Sequence, residues 1–398
     1  MTKLDQIMQD VQHYVLGTYK RKHEGFTEGR GSWLKSVTGR KVLDFFPGWG
    51  SSNLGHCHPR VVKAMKKQVE KIIHMSNVFY IPLQAEYAKK LISLSFPGKV
   101  FFCNSGAESL ECAIKAARAW GKDKGKNEFV SFYKSFHGRT VGALTLTAQS
   151  TYQDPFAPLM PNVHYAEYNN LESTLEKIND KTCAVVLELV QGEGGVRVAD
   201  KSFVRELHRL SREKGFLLIF DEVQTGFGRT GKLFAFENYK VKPDILCLAK
   251  SIAGGAPMGA TILSKTVSEV MKPGMHASTF GGNYLVVSGA LATLEAFEQE
   301  KILEKMVPVQ KKLEAFFEGL KKKYSQITEF RHLGMMFGIE MKHDYAARIA
   351  DMALEEGLII NCTSGNVLRI MPALNLSLKD CNQGMKILEK VFAHACKE

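Results

Sequence analysis

The sequence has no Cys-x-x-Cys pair, no apolar run of membrane-spanning length and no Pro- or Ser-rich linker. Each absence excludes something. The cysteines at 57, 103, 112, 183, 247, 362, 381 and 396 are scattered, and several sit inside apolar runs, where Cys acts as a small hydrophobe. A reducing, cytoplasmic compartment is expected, not a disulfide scaffold. Met1 to Asp10 mixes acids with Lys3 and has no apolar core, so neither export nor membrane insertion is indicated. His56-Cys57-His58 has metal-ligand chemistry, but three adjacent side chains cannot all turn onto one ion; no metal site is expected. Acid is the scarcer charge: 41 Asp+Glu stand against 53 Lys+Arg, giving +12. The basic clusters at Lys63, Lys66 and Lys67, at Lys311 and Lys312, and at Lys321, Lys322 and Lys323 fall on helical patterns without interleaved aromatics. They read as solvated helix faces, so no nucleic-acid partner is expected.

What is present centres on residues 216–259. Phe216-Leu217-Leu218-Ile219-Phe220 is an unbroken apolar run, the mark of a strand buried on both faces, and it ends on Asp221. Ile245-Leu246-Cys247-Leu248-Ala249 ends the same way on Lys250, before the loop Ser251 to Pro257. Ligands of open α/β sheets sit at the carboxyl ends of strands, so an acid and an amine are delivered to one edge. That couple suits a Schiff-base cofactor whose ring nitrogen needs an anionic partner. A strand-end Asp or Lys is more often merely solvated or ion-paired, and the couple alone does not decide. Gly226-Phe227-Gly228-Arg229-Thr230-Gly231 also spells G-x-G-x-x-G. Glu222 to Thr225 separate it from the strand and no amphipathic helix follows, so a dinucleotide site is weakly signalled.

In chain order, an arm over residues 11–22 precedes two short strands around the Thr38-Gly39 turn. Helices are predicted over residues 61–73 and 84–94. Strand 99–103 then turns through Asn104-Ser105-Gly106-Ala107-Glu108 into a helix with Leu110, Ala113, Ile114 and Ala117 on one face. Ser105 and Glu108 form S-x-x-E, which reads equally as a capping box and as a helix N-terminus open to a phosphate. Strands are predicted at 128–132 and 183–189, and a helix around Phe203, Leu207 and Leu210. Strands alternating with helices predict a doubly wound, mostly parallel sheet. From Leu285 the texture shifts to helices 285–299 and 301–323 and a strand 334–341, a second and smaller α+β domain. The expected organisation is an N-terminal arm and small-domain segment (1–49), a large domain (50–284) and a C-terminal small domain (285–398).

Six motifs stand in order: Asn104-Ser105-Gly106-Ala107-Glu108, Phe136-His137-Gly138-Arg139-Thr140, Gln191-Gly192-Glu193-Gly194-Gly195, Asp221-Glu222-Val223-Gln224-Thr225-Gly226-Phe227-Gly228-Arg229, Ala249-Lys250 and Ser278-Thr279-Phe280-Gly281-Gly282-Asn283. Together they resemble the class III pyridoxal-phosphate aminotransferases, most closely their acetylornithine branch, from Tyr19 to Pro372. The resemblance implies a fold-type-I α/β homodimer with shared active sites. It casts Lys250 as Schiff-base lysine and general base, and Asp221 as partner of the pyridinium nitrogen. Phe136 and Val223 would flank the ring and Gln224 would meet its O3′. Ser105, Gly106 and Ala107 would hold the phosphate, joined by the partner subunit's Thr279.

For substrates, the same resemblance makes Arg139 the clamp for the amino donor's carboxylate and Arg369 the clamp for 2-oxoglutarate, with Ser278 at the substrate side. Glu193 would pair with Arg369 when the donor has no group for it. The implied reaction takes N2-acetylornithine and 2-oxoglutarate to N-acetylglutamate 5-semialdehyde and glutamate, as in arginine biosynthesis. Succinylornithine, ornithine, 4-aminobutyrate or a carrier-bound lysine precursor are alternative donors, and a semialdehyde aminomutase is an alternative chemistry. Both arginines favour transamination. The chain departs from the family pattern at Lys22-His23-Glu24-Gly25, at Trp49 and at Ser251.

Overall fold

The computed structural model describes residues 2–396, so Met1, Lys397 and Glu398, at the outer ends of the expected segments, lie outside it. Its centre is a seven-stranded sheet in the order Gly98–Cys103, Gly259–Ser264, Ile245–Leu248, Leu217–Asp221, Thr182–Glu188, Glu128–Phe132, Val163–Ala166. Only Gly259–Ser264 runs antiparallel to its neighbours; the other pairs are parallel. The mostly parallel sheet expected from the alternating pattern is therefore present.

The apolar runs are continuous because both faces of the sheet are covered. Leu217 and Ile219 join one core with Leu110, Ala113 and Ile114 of helix Gly106–Gly121. Leu218 and Phe220 join another with Phe203, Val204 and Leu207 of helix Lys201–Lys214. Successive strand residues point to opposite faces, so one strand feeds both cores. Burying a side chain such as Leu110 or Ile114 stabilises the fold by about 1.5–3 kcal/mol. Ala113, Ala116 and Ala117, all fully buried, let their helix lie close on the sheet.

The helices expected at 285–299 and 301–323 occur as Tyr284–Gln299 and Ile302–Lys323. A second, antiparallel sheet follows, ordered Ile327–Leu333, Met336–Met341, Val367–Ile370, Asn361–Thr363. The single strand expected at 334–341 is one arm of a hairpin. Its turn holds Gly334 at φ +59°, and the sequence of the other arm, Ile327-Thr328-Glu329-Phe330-Arg331, is too polar to announce itself. The N-terminal strands Phe26–Arg30, Trp33–Ser36 and Lys41–Asp44 form a third sheet, completed by Leu358–Ile359. Residues more than three hundred positions apart thus share one hydrogen-bonded ladder.

Candidate active site

The parallel strands deliver their tips to one edge. Asp221 stands in register with Glu188 on one side and Cys247 on the other, and Lys250 follows three residues beyond Cys247. The strand Gly98–Cys103 releases the chain at the same edge into helix Gly106–Gly121. A cavity of about 320 Å³ opens there. Ser105, Gly106, Ala107, Phe136, Glu193, Asp221, Val223, Gln224 and Lys250 all line it, so nine of the residues predicted from sequence converge.

Asp221 is buried and held from two sides. Its Oδ2 lies 2.7 Å from His137 Nδ1, and its Oδ1 accepts the Val223 N–H at 3.0 Å. Burial opposes a charge on His137, but the hydrogen bond to Asp221 and the charges of Asp221 and Glu188 outweigh it, raising its pKa above the usual value. A negative carboxylate on the cavity floor is thereby kept in one orientation. Glu188 accepts the Phe136 N–H at 3.0 Å, and burial pushes its pKa up to about 8. Glu222, one residue past Asp221, faces away into the protein. It accepts the N–H groups of Ala235 and Phe236 at 2.6 and 2.8 Å, and burial again pushes its pKa up to about 8.

Lys250 adopts φ +50°, a strained conformation for a side chain of this size, at the start of a 3-10 turn. Burial lowers its pKa to about 8, although Glu193, Asp221 and Glu188 pull the other way. A larger share of neutral amine follows near neutral pH, which is the nucleophilic and basic form. At the opening helix, Ser105 Oγ accepts the Glu108 N–H at 3.2 Å, while Glu108 Oε2 accepts the Asn104 N–H at 2.6 Å. The cap is real, yet it leaves the Gly106 and Ala107 N–H groups without intrahelical partners. A Cβ on Gly106 would lie 2.7 Å from Val223, so the helix start abuts the residue predicted to face the ring.

Above the floor, Arg369 Nη1 and Glu193 Oε1 form an ion pair at 2.7 Å. Arg369 is fully buried, packs over the Phe46 ring at 4.8 Å, and donates to Asn361 Oδ1 at 3.2 and 2.9 Å. Burial alone would raise the Glu193 pKa, but Arg369 outweighs it and holds the carboxyl below its ordinary value. Gln224 Nε2 donates to the Trp49 carbonyl at 3.3 Å, and its Oε1 accepts from Arg369 at 3.4 Å. Trp49, one of the departures, takes φ +56° and is half exposed beside this group.

Arg369 reaches the cavity only through its pairing with Glu193 and its contact with Gln224, and three further predicted residues stand apart from the cavity wall. Arg139 is exposed, with its guanidinium 3.9 Å from the Tyr152 ring centroid. Thr279 is exposed, and Ser278 Oγ accepts from Asn104 Nδ2 at 3.2 Å. The sequence pattern alone assigns no role to His137, Glu188, Asn361 or Phe46. Glu188 ends an apolar strand as Asp221 does, so the strand-tip argument could have found it. The other three depend on contacts between distant segments. The Gly226–Gly231 stretch folds as consecutive turns, followed by the short 3-10 turn Ala235–Asn238 and not by an α-helix, which removes the dinucleotide reading.

Comparison with known proteins agrees with this geometry. The family model for aminotransferase class-III matches residues 18–392. The chain is 44% identical to the acetylornithine aminotransferase of Methanocaldococcus jannaschii, over 96% of this chain and 97% of that one. It is 39% identical to the enzyme of the same name from Aquifex aeolicus, over 95% of this chain and 100% of that one. Among solved structures, the ornithine aminotransferase of Toxoplasma gondii superposes with TM-score 0.94 at 28% identity, covering 99% and 96% of the two chains. The acetylornithine aminotransferase of Elizabethkingia anophelis superposes with TM-score 0.88 at 29% identity, covering 99% and 100%. With a matching family model over nearly its whole length, and relatives above 40% identity, the chain belongs to the class III aminotransferases.

Proposed function

We propose that this chain is the ω-aminotransferase that converts N2-acetylornithine and 2-oxoglutarate to N-acetylglutamate 5-semialdehyde and glutamate, a step of arginine biosynthesis. The cofactor is pyridoxal 5′-phosphate, which supplies, when bound, an aldehyde that condenses with amines and a ring that stores the electrons of a carbanion. The donor set fits it: a helix N-terminus with free N–H groups, a carboxylate fixed by His137, and an amine with a depressed pKa share one cavity. Ser105, Gly106 and Ala107 would hold the phosphate, Phe136 and Val223 would confine the ring, and Asp221 would sit as the anionic partner of its nitrogen. Lys250 would carry the cofactor and serve as the base for the substrate proton.

The observation that carries the substrate reading is the Glu193–Arg369 pair beside Lys250. A donor whose far end is an uncharged acylated group leaves that pair intact. A five-carbon dicarboxylate needs Arg369 for its distal carboxylate, so Glu193 must yield. One site then serves two substrates by exchanging the partner of one arginine. A panel of donors in a coupled glutamate assay tests this. N2-acetylornithine turned over no better than ornithine and 4-aminobutyrate would defeat the assignment.

The enzyme works as a cytoplasmic homodimer with shared sites, a reading supported by its surface. Val78, Phe79 and Tyr80 are exposed together, with Phe280 beside the Ser278-Thr279 loop also exposed. Exposed apolar patches of this kind mark association surfaces. Tyr80→Glu should shift light-scattering mass to the monomer and lose activity with it. An active monomer would refute the shared site.

A further inference from the structure

We infer that Arg331, two strands across the sheet from Arg369, positions the Glu193–Val196 segment and so sets how readily Arg369 is released to a dicarboxylate. The proposal rests on the reading of Glu193 and Arg369 as an exchangeable pair.

The strand register carries it. Asn361 pairs with Arg369, Arg369 with Gly338, and Gly338 with Arg331, so four residues form one rung across the antiparallel sheet. Directly opposed residues point to the same face. The Glu193–Val196 segment lies along this rung. Glu193 meets Arg369 at one end. Val196 sits over Gly338, where a Cβ would come within 2.8 Å of its own. The Gly195 carbonyl accepts from Arg331 Nε at 2.9 Å and Nη2 at 2.6 Å. From the adjoining hairpin, Thr363 Oγ1 and Ser364 Oγ donate to the Glu193 carbonyl at 2.9 and 2.8 Å.

Four hydrogen bonds therefore tie the backbone of the Glu193 loop to the sheet that carries Arg369. Arg331 is itself fixed, since Nη1 pairs with Glu329 and Glu340, each at 2.7 Å. The loop is under backbone tension, for Val196 takes φ +56°, which a β-branched residue rarely adopts. Without the tether it has reason to relax. Glu193 would then compete less well for Arg369, and an incoming distal carboxylate would displace it more easily.

The test is steady-state kinetics on the holoenzyme with both substrates varied. Arg331→Met should lower KM for 2-oxoglutarate by about three- to tenfold, less than the full value of one hydrogen bond from a charged donor because Thr363 and Ser364 still hold the loop, and raise KM for the acylated donor. Arg331→Lys keeps the charge beside Glu340 and should fall between. Ser364→Ala removes one of the two donors to Glu193 and should move both constants the same way, less far. A folding defect lowers active enzyme and hence kcat but leaves KM in place, so KM separates positioning from damage. If Arg331→Met fails to fold, Ser364→Ala carries the test. In a Glu193→Gln background, Arg331→Met should have no further effect on the acceptor KM. Unchanged acceptor KM in the Arg331 and Ser364 variants, with Glu193→Gln lowering it, overturns the positioning role alone. No change in Glu193→Gln itself overturns the exchangeable pair, and this proposal with it.

Discussion

Replacing His137 by Leu removes a side chain whose assigned partner is Asp221, and it should cripple the enzyme. The His137 side chain is fully buried, and its Nε2 has no hydrogen-bond partner among the described residues, so its polar role among them is the 2.7 Å hydrogen bond to Asp221 Oδ2. Hydrogen bonds to charged groups contribute about 1.5–3 kcal/mol, and each 1.36 kcal/mol is a factor of ten in rate. Leu fills most of the space, so little of the loss comes from a cavity. An Asp221 carboxylate stripped of this donor loses the contact that fixes its orientation on the cavity floor. The expected result is a fall in kcat of about 10- to 150-fold, with weaker retention of the cofactor by visible absorbance.

The pH dependence adds a signature. The folded-state pKa of His137 is raised, so its stabilising contribution is complete below the ordinary value of 6.5 and is lost as pH climbs through the raised value. The gap between wild type and variant should therefore narrow toward alkaline pH, in denaturant midpoint and in kcat alike. His137→Asn, which can place an N–H near the vacated Nδ1, should recover part of the activity. A variant with wild-type kcat, or a gap that widens above neutrality, would refute the assignment of His137 as the residue that holds Asp221.

Other measurements follow from the same geometry. Lys250→Ala should abolish turnover and the visible cofactor band, while in wild-type apoenzyme the rate of cofactor capture should level off once pH passes about 8, where the buried amine is neutral; a rate still rising toward pH 10 would mean an ordinary lysine. The folded pKa of Glu222 is raised from 4.5 to about 8, so its contribution is present below 4.5 and lost as pH rises through 8. Glu222→Gln should therefore flatten the loss of stability across that window in denaturant titrations, and an unaltered slope would contradict it. Arg229 is fully buried and donates to Asn53 Oδ1 at 2.6 Å and to the Met335 and Pro372 carbonyls at 2.9 and 2.7 Å. Arg229→Met strands three acceptors at once and should cost about 3 kcal/mol or more in stability; a loss under about 1 kcal/mol would show that water replaces the guanidinium.

The sequence made some of this visible for a physical reason. Leu217 to Phe220 and Ile245 to Leu248 are apolar at every position because both sheet faces are covered, and a covered strand leaves a run that needs no partner to be noticed. Helix Gly106–Gly121 is equally plain, since its stripe of Leu110, Ala113, Ile114 and Ala117 is local. Val163–Ala166 and Gly259–Ser264 carry no comparable signal. The first, at the sheet's edge, is mostly half-buried and carries His164 and Tyr165, so its pattern is mixed. The second is preceded by a glycine- and proline-rich loop and opens on glycine, which masks its apolar run.

The site divides along the same line. Residues at strand tips and at a helix start could be placed because their positions follow from the elements that end there. The groups that tune them could not. His137 reaches Asp221 across 84 positions, and the tie from Ser364 to the Glu193 carbonyl spans 171. Neither pairing leaves a local periodicity, since it exists only after the parallel sheet and the C-terminal antiparallel sheet have docked. The two classes of residue also differ in what they should do when altered. Loss of Lys250 or Asp221 removes a chemical group, and no pH restores it. Loss of His137 or Arg331 changes the readiness of a group that remains, so their variants should keep a reaction whose pH profile or KM has moved. Kinetic form, more than the size of the defect, distinguishes the residues that act from those that hold them in place.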